Sequence, residues 1–387
     1  MLKVVIDATP ISQKQSGVGF YVINLIESLH KLKEENVFHL DIIYQPSFKN
    51  WLSYNLSFPE SLQHYSNLNL LPIPVRISDI LLLNLKLKPA ISYFQQHFSS
   101  SDILHGTNYS VYPGSNIVKI MNIYDLAFIK YPEYIDSVVK TYSNKVKSCL
   151  QWTDLVLTIS ESSKKDIVEY LQVEPEKVYV TPLASRYYPN YLSVEIIEQL
   201  EKQANYDFYK PYILFVSTIE PRKNINNVIV AFNILKKRHK IEHQLVLVGK
   251  KGWNYKPIFS AIETSPWKDE IHHLDYLSDE LVALFYSKAD VFVYPSYYEG
   301  FGLPVLEAMT LGAPVVSSNT SSIPEVAGDA AILINPQDSM QLSESILKVI
   351  SDRQLRQDLI NRGKERAKLF SWERTARETL KAYRTIV

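Results

Sequence analysis

The amino-acid sequence predicts an α/β fold with two lobes, each built on a parallel sheet that carries helices on its faces. Short apolar runs alternate with longer segments of helical period, which is the pattern of consecutive βαβ units. The pattern restarts after a tyrosine-containing stretch at residues 186–191, and a chain of 387 residues suits two domains of roughly 150–200 residues each. We therefore predict a first lobe over residues 1–205, a second over residues 206–370, and a last helix over residues 371–387 that packs back on the first lobe.

In the first lobe, the predicted strands are short runs rich in aliphatic and β-branched residues, at positions 4–6, 39–43, 68–71, 103–104, 117–121, 155–158 and 178–180. The predicted helices lie between these strands, at residues 18–32, 137–151 and 160–171. Ser160 starts the last of them, where a serine hydroxyl can accept a hydrogen bond from a free backbone N–H.

The second lobe repeats this alternation. Its predicted strands lie at residues 212–216, 245–248, 271–274, 291–294, 314–316 and 331–334, and its predicted helices at residues 224–238, 278–287 and 303–311. Open parallel sheets bind ligands beyond the carboxyl ends of their strands. Two such Rossmann-like lobes are therefore expected to hold their ligands in a cleft between them.

The composition excludes several classes of protein. Lysine plus arginine and aspartate plus glutamate number 41 each, so the chain has no net charge with which to attract nucleic acid. The only cysteine, Cys149, rules out a disulfide framework and a cysteine-based metal site within one chain. The chain opens directly into an apolar strand, and no run approaches the ~20 apolar residues of a membrane span, so we expect a cytoplasmic protein.

Residues 77–94 mix leucines with Lys86 and Lys88 and are predicted to form a helix. Two interpretations remain open. An ordinary helix of the first lobe would bury its leucines in the core, whereas a surface helix would touch lipid-linked acceptors. On the second interpretation the protein makes peripheral contact with the inner face of the membrane.

The most informative segment is YPSYYEGFGLPVLEAM at residues 294–309. A strand ends at Tyr294, a glycine loop follows, and a helix begins near Leu303. Gly300 and Gly302 let the backbone approach a ligand, and the free N–H groups at the helix start favour an anion. The segment therefore predicts an anion-binding loop between a strand and a helix.

Two glutamates flank this helix start. Glu307 falls within the first turns of the helix, where it can accept hydrogen bonds from a diol such as a ribose. Glu299 lies upstream in the loop, nearer to the sugar end of such a ligand. The alternative interpretation is an acid stabilised by the helix dipole, beside an ordinary turn glycine.

A pair of basic residues precedes another predicted helix. Arg222 and Lys223 stand before Asn224, which opens the helix, and guanidinium and ammonium groups both bind phosphate oxygens. The alternative is an adjacent pair of surface cations. No Asp-x-Asp pattern follows a predicted strand, so neither a metal ion nor another cofactor is expected.

A second glycine loop, formed by Gly17, Val18 and Gly19, opens the first predicted helix and can bring backbone N–H groups to an anion. Phe20 and Ile23 fill the next positions, so this loop lacks the third glycine of the dinucleotide-binding fingerprint. A nicotinamide-dependent dehydrogenase is therefore disfavoured.

These motifs together resemble the signature of the retaining glycosyltransferases of family four, the group 1 glycosyltransferases, which have the GT-B fold. Glu299 and Glu307 are separated by seven residues inside EGFGLPVLEA, as in that signature. The family's other motifs resemble STIEPRKNI at residues 217–225, LGAPVV at residues 311–316 and SSIPEVAG at residues 321–328, in the same order. Residues 16–19 resemble its first glycine loop, and the likeness spans nearly the whole chain.

The resemblance implies two Rossmann-like lobes facing a central cleft, with a nucleotide-sugar donor on residues 206–365 and a glycan or lipid-linked acceptor on the first lobe. It also implies transfer with retention of anomeric configuration and without a metal ion. The residues that it marks as catalytic are Arg222, Lys223, Glu299 and Asp125. Those that it marks as donor-binding are Gly17, Gly19, Gly300, Phe301, Gly302, Leu303 and Glu307.

One position departs from the family. Members commonly carry His-Asp where this chain has Tyr124 and Asp125, and that histidine is thought to approach the donor sugar. Tyrosine can donate a hydrogen bond, but with a reference pKa of about 10 it is a poor base at neutral pH. Asp125 remains a candidate for aligning the acceptor hydroxyl. Tyr124 and His105 are expected on the acceptor or sugar side, and the alternative for His105 is a purely structural histidine.

The donor and the activity are the last expectations. The segment of Arg222 and Lys223 and the region of Tyr124 and Asp125 resemble mannosyltransferases, which favours GDP-mannose, while UDP- and dTDP-sugars remain open. A nucleotide-sugar epimerase of the same fold would instead release epimerised sugar without an acceptor. A catalytically silent sugar-nucleotide-binding subunit would bind the donor without turnover, an alternative that Tyr124 favours.

Overall fold

The computed structural model describes residues 1–12, 17–32, 38–114, 116–134, 142–204 and 206–387. The chain forms two compact units. The first consists of Met1–Lys130, Ser137–Leu183 and Trp372–Val387, and the second of Tyr131–Asp136 and Ala184–Ser371.

The first unit is built on a parallel sheet. Its strands are β1 (Leu2–Asp7), β2 (Phe38–Tyr44), β3 (Leu68–Leu70), β4 (Ile103–Gly106), β5 (Val118–Asn122), β6 (Leu155–Thr158) and β7 (Val178–Val180). Within the described residues they lie in the order β3-β2-β1-β4-β5-β6-β7 and pair in parallel throughout. The helices between them are α1 (Gly17–Leu32), α2 (Phe48–Leu52), α3 (Val75–Ser78), α4 (Lys88–Gln96), α5 (Ala127–Lys130), α6 (Tyr142–Leu150) and α7 (Glu161–Leu171).

The second unit repeats this plan. Its strands are β8 (Tyr212–Val216), β9 (Gln244–Val248), β10 (Ile271–Leu274), β11 (Val291–Tyr294), β12 (Val315–Ser318) and β13 (Ala331–Ile334). They form a parallel sheet in the order β10-β9-β8-β11-β12-β13. Its helices are α8 (Val194–Gln203), α9 (Ile225–Ile234), α10 (Lys256–Glu263), α11 (Asp279–Lys288), α12 (Leu303–Leu311), α13 (Ile323–Ala327), α14 (Ser339–Ser351) and α15 (Arg353–Ala367).

The strands are continuous apolar runs because helices cover both faces of each sheet. Every residue of β9 and of β11 is buried, which is the burial expected for the central strands of a parallel sheet. The predicted α/β class with two Rossmann-like sheets is confirmed. Each predicted strand is present, with its ends within two residues of the prediction.

The helix signals are confirmed in the same way. Ser160 caps α7, its hydroxyl accepting a hydrogen bond from the Ser163 N–H at 3.0 Å. The predicted helix at 224–238 is α9 followed by a π-helical turn, Leu235–His239. The predicted helix at 137–151 is α6, and residues 137–141 lie outside the described residues.

The structure divides the chain at a different place from the predicted boundary at residue 205. The second unit begins at Ala184, because α8 packs against α11 and the Tyr187 hydroxyl donates to the Asp279 carbonyl oxygen at 3.1 Å. Residues 184–205 therefore belong to the second unit rather than to the first.

The last helix, α16 (Trp372–Ile386), belongs to the first unit and packs against α1. The Thr375 hydroxyl donates to the Pro182 carbonyl oxygen at 2.6 Å, and the Tyr383 side chain is completely buried. These contacts fix the helix to the sheet of the first unit.

The predicted single helix at 77–94 is wrong, because the segment is broken. A π-helical turn, Asp79–Asn84, follows α3, and Lys86 adopts a left-handed conformation with φ of 47° before α4 begins. Leu82 and Leu83 are buried, as a core helix would require, whereas Ile80, Leu85 and Leu87 are exposed, as a surface helix would require. None of the helices within the described residues is both long and apolar enough to cross a lipid bilayer.

Candidate active site

The predicted basic and acidic residues of the second unit meet at one edge of its sheet. β8 and β11 are neighbours, although β9 and β10 separate them in the sequence, so the strand order reverses between them. The loop after β8 carries Arg222 and Lys223, and the loop after β11 carries Glu299. Open α/β sheets bind ligands at such reversal points, beyond the carboxyl ends of the strands.

Glu299 lies at the centre of a buried polar cluster. Its Oε1 accepts hydrogen bonds from Lys223 Nζ at 2.6 Å, from Ser296 Oγ at 2.6 Å and from the Tyr294 hydroxyl at 2.9 Å. Lys223 Nζ also donates to the Tyr294 oxygen at 2.9 Å. The carboxylate and the ammonium group are thus fixed by each other and by a tyrosine at the end of β11.

Arg222 adds a second cation to this cluster. Its Nη1 donates to the Tyr298 carbonyl oxygen at 2.6 Å and lies 3.4 Å from Glu299 Oε1. Its Nη2 donates to Glu220 Oε1 at 2.8 Å. The loops after β8 and β11 are therefore joined through the Arg222 guanidinium.

Charge pairing determines the protonation state of Glu299. Burial opposes its ionisation, but attraction to Lys223 and Arg222 outweighs burial and lowers the pKa of the carboxyl to about 2. Burial and the Arg222 charge lower the pKa of Lys223, against the attraction of Glu299. At neutral pH Glu299 is a carboxylate, so it can stabilise positive charge but cannot act as a general acid.

The glycine loop after Glu299 is held by two serines. Ser322 Oγ lies 2.8 Å from the carbonyl oxygens of both Glu299 and Phe301. Ser321 Oγ accepts a hydrogen bond from the Glu299 N–H at 2.9 Å. Phe301 and Gly300 are buried within this loop, so burial and the two serines together hold it in place.

Gly302 sets the direction in which α12 leaves the loop. Its φ of 108° is strained for a residue with a side chain, and a Cβ there would lie 2.7 Å from Ile323 Cδ1. Leu303 is the first residue of α12, and Gly312 ends the helix with φ of 86°. The predicted strand, glycine loop and helix are all present.

Glu307 lies on α12 and is buried beneath an arginine. Its Oε1 accepts a hydrogen bond from Arg186 Nε at 2.6 Å, and its side chain is only 4% exposed. Burial raises the pKa of Glu307, and the Arg186 charge opposes this rise. The carboxylate therefore forms an ion pair with Arg186 that counteracts part of the effect of its burial.

The side chains of His105 and Tyr124 are buried in the first unit. His105 is fully buried, with Nε2 bonded to Asn122 Oδ1 and Nδ1 lying 2.6 Å from the Tyr383 hydroxyl, and burial lowers its pKa to about 4. The Tyr124 hydroxyl donates to the Thr107 carbonyl oxygen at 2.5 Å. Each side chain thus satisfies a buried backbone or side-chain partner, and the geometry supports the structural interpretation of His105. The predicted roles of both residues toward an acceptor or a sugar stay predictions.

The other candidates of the first unit follow its strands. Asp125 comes after β5, is half-buried, and accepts a hydrogen bond at Oδ1 from the Ala127 N–H at 3.1 Å, at the start of α5. Gly17 is exposed at the start of α1, and a Cβ there would meet no atom within 4 Å among the described residues. Gly19 is buried two residues further along the same turn. These three residues belong to the first unit, and their predicted roles toward a ligand stay predictions.

The sequence reasoning missed the residues that hold the acids in place. Arg186 lies 121 residues before Glu307, and no local pattern signals a pairing at that distance. The sequence predicts that Tyr294 ends a strand and that Ser296 lies in the following loop, but it does not indicate that both donate hydrogen bonds to Glu299. The signal available for Ser296 and Tyr294 was their position at the carboxyl end of β11, where polar side chains point into the ligand crevice.

Comparison with known proteins identifies a family model and individual relatives of this chain. Residues 197–366 match the family model described as glycosyl transferases group 1. The O-antigen chain mannosyltransferase B of Escherichia coli is 31% identical, with 100% of both chains covered. The MMP alpha-(1->4)-mannosyltransferase of Mycolicibacterium hassiacum is 30% identical over 59% of this chain and 53% of its own length.

Solved structures show the same fold at lower identity. The sucrose-phosphate synthase of Thermosynechococcus elongatus matches with a TM-score of 0.73 at 20% identity, covering 100% of this chain and 99% of the other. WaaG, described as a glycosyltransferase involved in lipopolysaccharide biosynthesis, matches with a TM-score of 0.68 at 17% identity, covering 99% of each chain. With the full-length similarity to a mannosyltransferase, these likenesses show that the chain belongs to the group 1 glycosyltransferases of the GT-B fold.

Proposed function

We propose that this glycosyltransferase moves a mannosyl group from GDP-mannose to a hydroxyl of a glycan or lipid-linked acceptor, with retention of configuration and without a metal ion. One observation carries the proposal. Arg222, Lys223 and Glu299 are clustered at the carboxyl ends of β8 and β11, in a chain that is 31% identical to an O-antigen mannosyltransferase over its full length.

The two cations would stabilise the leaving group. When the bond between the anomeric carbon and the diphosphate oxygen breaks, negative charge accumulates on the diphosphate. Fixed positive groups that interact more strongly with this charge in the transition state lower the barrier. Arg222 and Lys223 are such groups, because their positions are fixed by Glu220, Glu299 and the Tyr298 carbonyl before the donor binds.

The two glutamates would have different tasks. Glu299 is ionised beside the cations and would stabilise the positive charge that develops at the anomeric carbon. Glu307 lies on the helix that the glycine loop leads into, and would accept hydrogen bonds from the ribose diol. Gly300, Phe301, Gly302 and Leu303 would place backbone N–H groups near the diphosphate.

The acceptor would bind through the first unit. A new bond forms between the acceptor oxygen and the anomeric carbon, and the proton of the acceptor hydroxyl passes to the departing diphosphate oxygen. Asp125 would align that hydroxyl, and the N–H groups of the turn at Gly17 and Gly19 would contact the donor. Retention follows if the acceptor approaches on the face from which the diphosphate leaves.

The choice of mannose is supported by two relatives, an O-antigen chain mannosyltransferase and an alpha-(1->4)-mannosyltransferase. The choice of guanosine rests on the resemblance of the regions around Arg222 and Tyr124 to mannosyltransferases. A solved structure of Anabaena Alr3699/HepE contains UDP and glucose, but at 16% identity this likeness concerns the fold alone. The base and the sugar of the donor are therefore what the experiment must decide.

The test combines ligand binding with turnover. Thermal unfolding is recorded with GDP-mannose, GDP-glucose, UDP-glucose and dTDP-glucose, because a ligand that binds only the native state raises the midpoint. Turnover is then followed with octyl α-D-mannoside as acceptor, by GDP release and by the mass of the product. Acceptor-dependent mannosylation supports the proposal. Release of free epimerised sugar would indicate an epimerase. Donor binding without any turnover would indicate a silent subunit. If no nucleotide sugar shifts the unfolding midpoint, the donor site is refuted.

Peripheral membrane contact is part of the same proposal if the acceptor is lipid-linked. Ile80, Leu85 and Leu87 are exposed next to Lys86 and Lys88, so this surface combines apolar and basic groups. Co-sedimentation with anionic vesicles should be lost when Leu85 and Leu87 are both changed to serine. If the variant still binds vesicles like the wild type, this surface is not the membrane contact.

A further inference from the structure

The Glu307 carboxylate has a partner that the glycosyltransferase motifs do not include. Arg186 lies at the start of the second unit, immediately before Tyr187, and its Nε donates to Glu307 Oε1 at 2.6 Å. The glutamate side chain is 4% exposed and the arginine side chain 36% exposed, so the guanidinium covers the carboxylate from the solvent side. The pair is thus buried on the side of the acid and accessible on the side of the base.

The guanidinium is itself held in place. Its Nη1 donates to Asp279 Oδ1 at 2.9 Å, and Asp279 stands at the first position of α11. Its central carbon lies 5.8 Å from the centroid of the Tyr187 ring, and the Tyr187 hydroxyl donates to the Asp279 carbonyl oxygen at 3.1 Å. Arg186 is therefore oriented from two sides, and a planar guanidinium held in this way fixes the carboxylate that it contacts.

We propose that Arg186 is a positioning residue for the donor, which keeps Glu307 ionised and correctly oriented to accept hydrogen bonds from the ribose diol of a nucleoside diphosphate. The inference rests on the proposed function, which assigns the ribose to Glu307. A carboxylate has about four acceptor positions on its two oxygens, and Arg186 Nε uses one of them. The bond to Arg186 is therefore compatible with further bonds to a diol.

Charge explains why an acid at this position needs such a partner. Burial raises the pKa of Glu307, and Arg186 opposes that rise. The titratable groups that face Glu307 are Arg186 and Tyr187 from the start of the second unit, and Asp279 and Tyr286 from α11. Asp279 raises the pKa of Glu307 further. Removing the arginine leaves this buried acid beside another acid, so Glu307 should take up a proton at a higher pH.

The experiment measures how well the protein distinguishes a ribose from a sugar without the diol. GDP and UDP, and their 2′,3′-dideoxy counterparts, are titrated into the full chain by calorimetry. In the wild type, the better-binding base should bind about 10–100-fold more tightly as the ribonucleotide, the range expected for charge-assisted hydrogen bonds. Arg186→Ala should reduce this ratio by at least about threefold at pH 7.5, and Glu307→Gln should reduce it to a similar or greater extent.

Two comparisons separate positioning from loss of fold. As the pH is lowered, the preference for the ribonucleotide should be lost at a higher pH in Arg186→Ala than in the wild type. Arg186→Lys should restore the wild-type pH dependence because it restores the positive charge. Both nucleotides carry the same diphosphate, so protonation of the phosphates affects their binding equally and leaves the ratio of their affinities unchanged. Arg356→Ala is the matched control, since Arg356 also pairs with an aspartate at 2.7 Å and is 32% exposed, but its partner is Asp290, immediately before β11, and not Glu307. This control should keep the wild-type ratio.

The outcomes distinguish this inference from the proposed function. Suppose that the wild type prefers the ribonucleotide and that Arg186→Ala keeps both this preference and its pH dependence: Arg186 is then not a positioning residue. If the alanine variant does not fold, the same comparison is made with Arg186→Lys. If the wild type binds nucleoside diphosphates without distinguishing the dideoxy forms, Glu307 does not hold the ribose and the inference fails while nucleotide binding stands. If the wild type binds neither GDP nor UDP, the proposed function fails and the inference fails with it.

Discussion

The ion pair between Glu299 and the cations of the β8 loop predicts a measurable loss of stability when the carboxylate is removed. The pKa of Glu299 is lowered from 4.5 to about 2 in the folded protein. Since one pH unit corresponds to 1.36 kcal/mol, the ionised form stabilises the fold by about 3 kcal/mol at neutral pH. For a unit of this size, Glu299→Gln should therefore lower the melting temperature by about 6–12 °C.

The sign of the pH dependence is a second part of this prediction. A carboxyl whose pKa is lowered on folding contributes stability that is fully present above its unfolded pKa of 4.5 and is lost as the pH falls toward about 2. The difference between the wild type and Glu299→Gln should accordingly be constant from pH 5 to pH 7 and should shrink below pH 4.5. Calorimetric melting curves at several pH values provide the measurement.

A matched control and a functional readout complete the test. Glu365→Gln removes another acid that pairs with a lysine, Lys368, at 2.6 Å, but both side chains are exposed, Glu365 by 72%, so its loss should cost less than about 1 kcal/mol. In Glu299→Gln the cations lose their carboxylate, so GDP should bind at least as tightly as in the wild type, while turnover should fall about 100-fold. A melting temperature within 2 °C of the wild type at pH 7, or weaker GDP binding, would refute this account of the cluster.

Three further predictions follow from the proposed chemistry. Arg222→Ala and Lys223→Ala should each lower turnover about 100-fold or more in steady-state kinetics with varied donor, and near-native turnover in both variants would remove them from the diphosphate site. Activity should survive excess EDTA, whereas complete loss that magnesium restores would place the phosphate chemistry elsewhere. An α-linked nucleotide sugar should give an α-linked product by anomeric proton coupling, and a β-linked product would exclude retention.

The sheets could be predicted from the sequence because strands buried on both faces appear in it as continuous apolar runs. The strands β8 and β11 are almost uniformly apolar, and each ends at a polar or glycine-containing loop. The loop and helix from Glu299 to Leu311 could also be predicted, since the glycine and proline signals agree there. At such places local propensity and tertiary packing favour the same structure.

The failures arose where only tertiary contacts decide. Nothing in residues 184–205 indicates which sheet they join, and the packing of α8 against α11 determines it. His105 lies near the carboxyl end of β4, yet α16 covers it through Tyr383, a residue 278 positions away. The pairing of Arg186 with Glu307 is likewise visible only once the chain is folded.

The placement of α16 has a consequence for the order in which the chain can fold during synthesis. The first unit contains residues from the beginning of the chain and also Trp372–Val387, so the ribosome makes nearly all of the second unit before the first can be completed. Until α16 emerges, the face of α1 and the ring of His105 that it covers remain without their partners. The second unit is nearly continuous in sequence and can therefore complete its fold first, although it is made later, which reverses the usual order in which amino-terminal domains finish before those that follow.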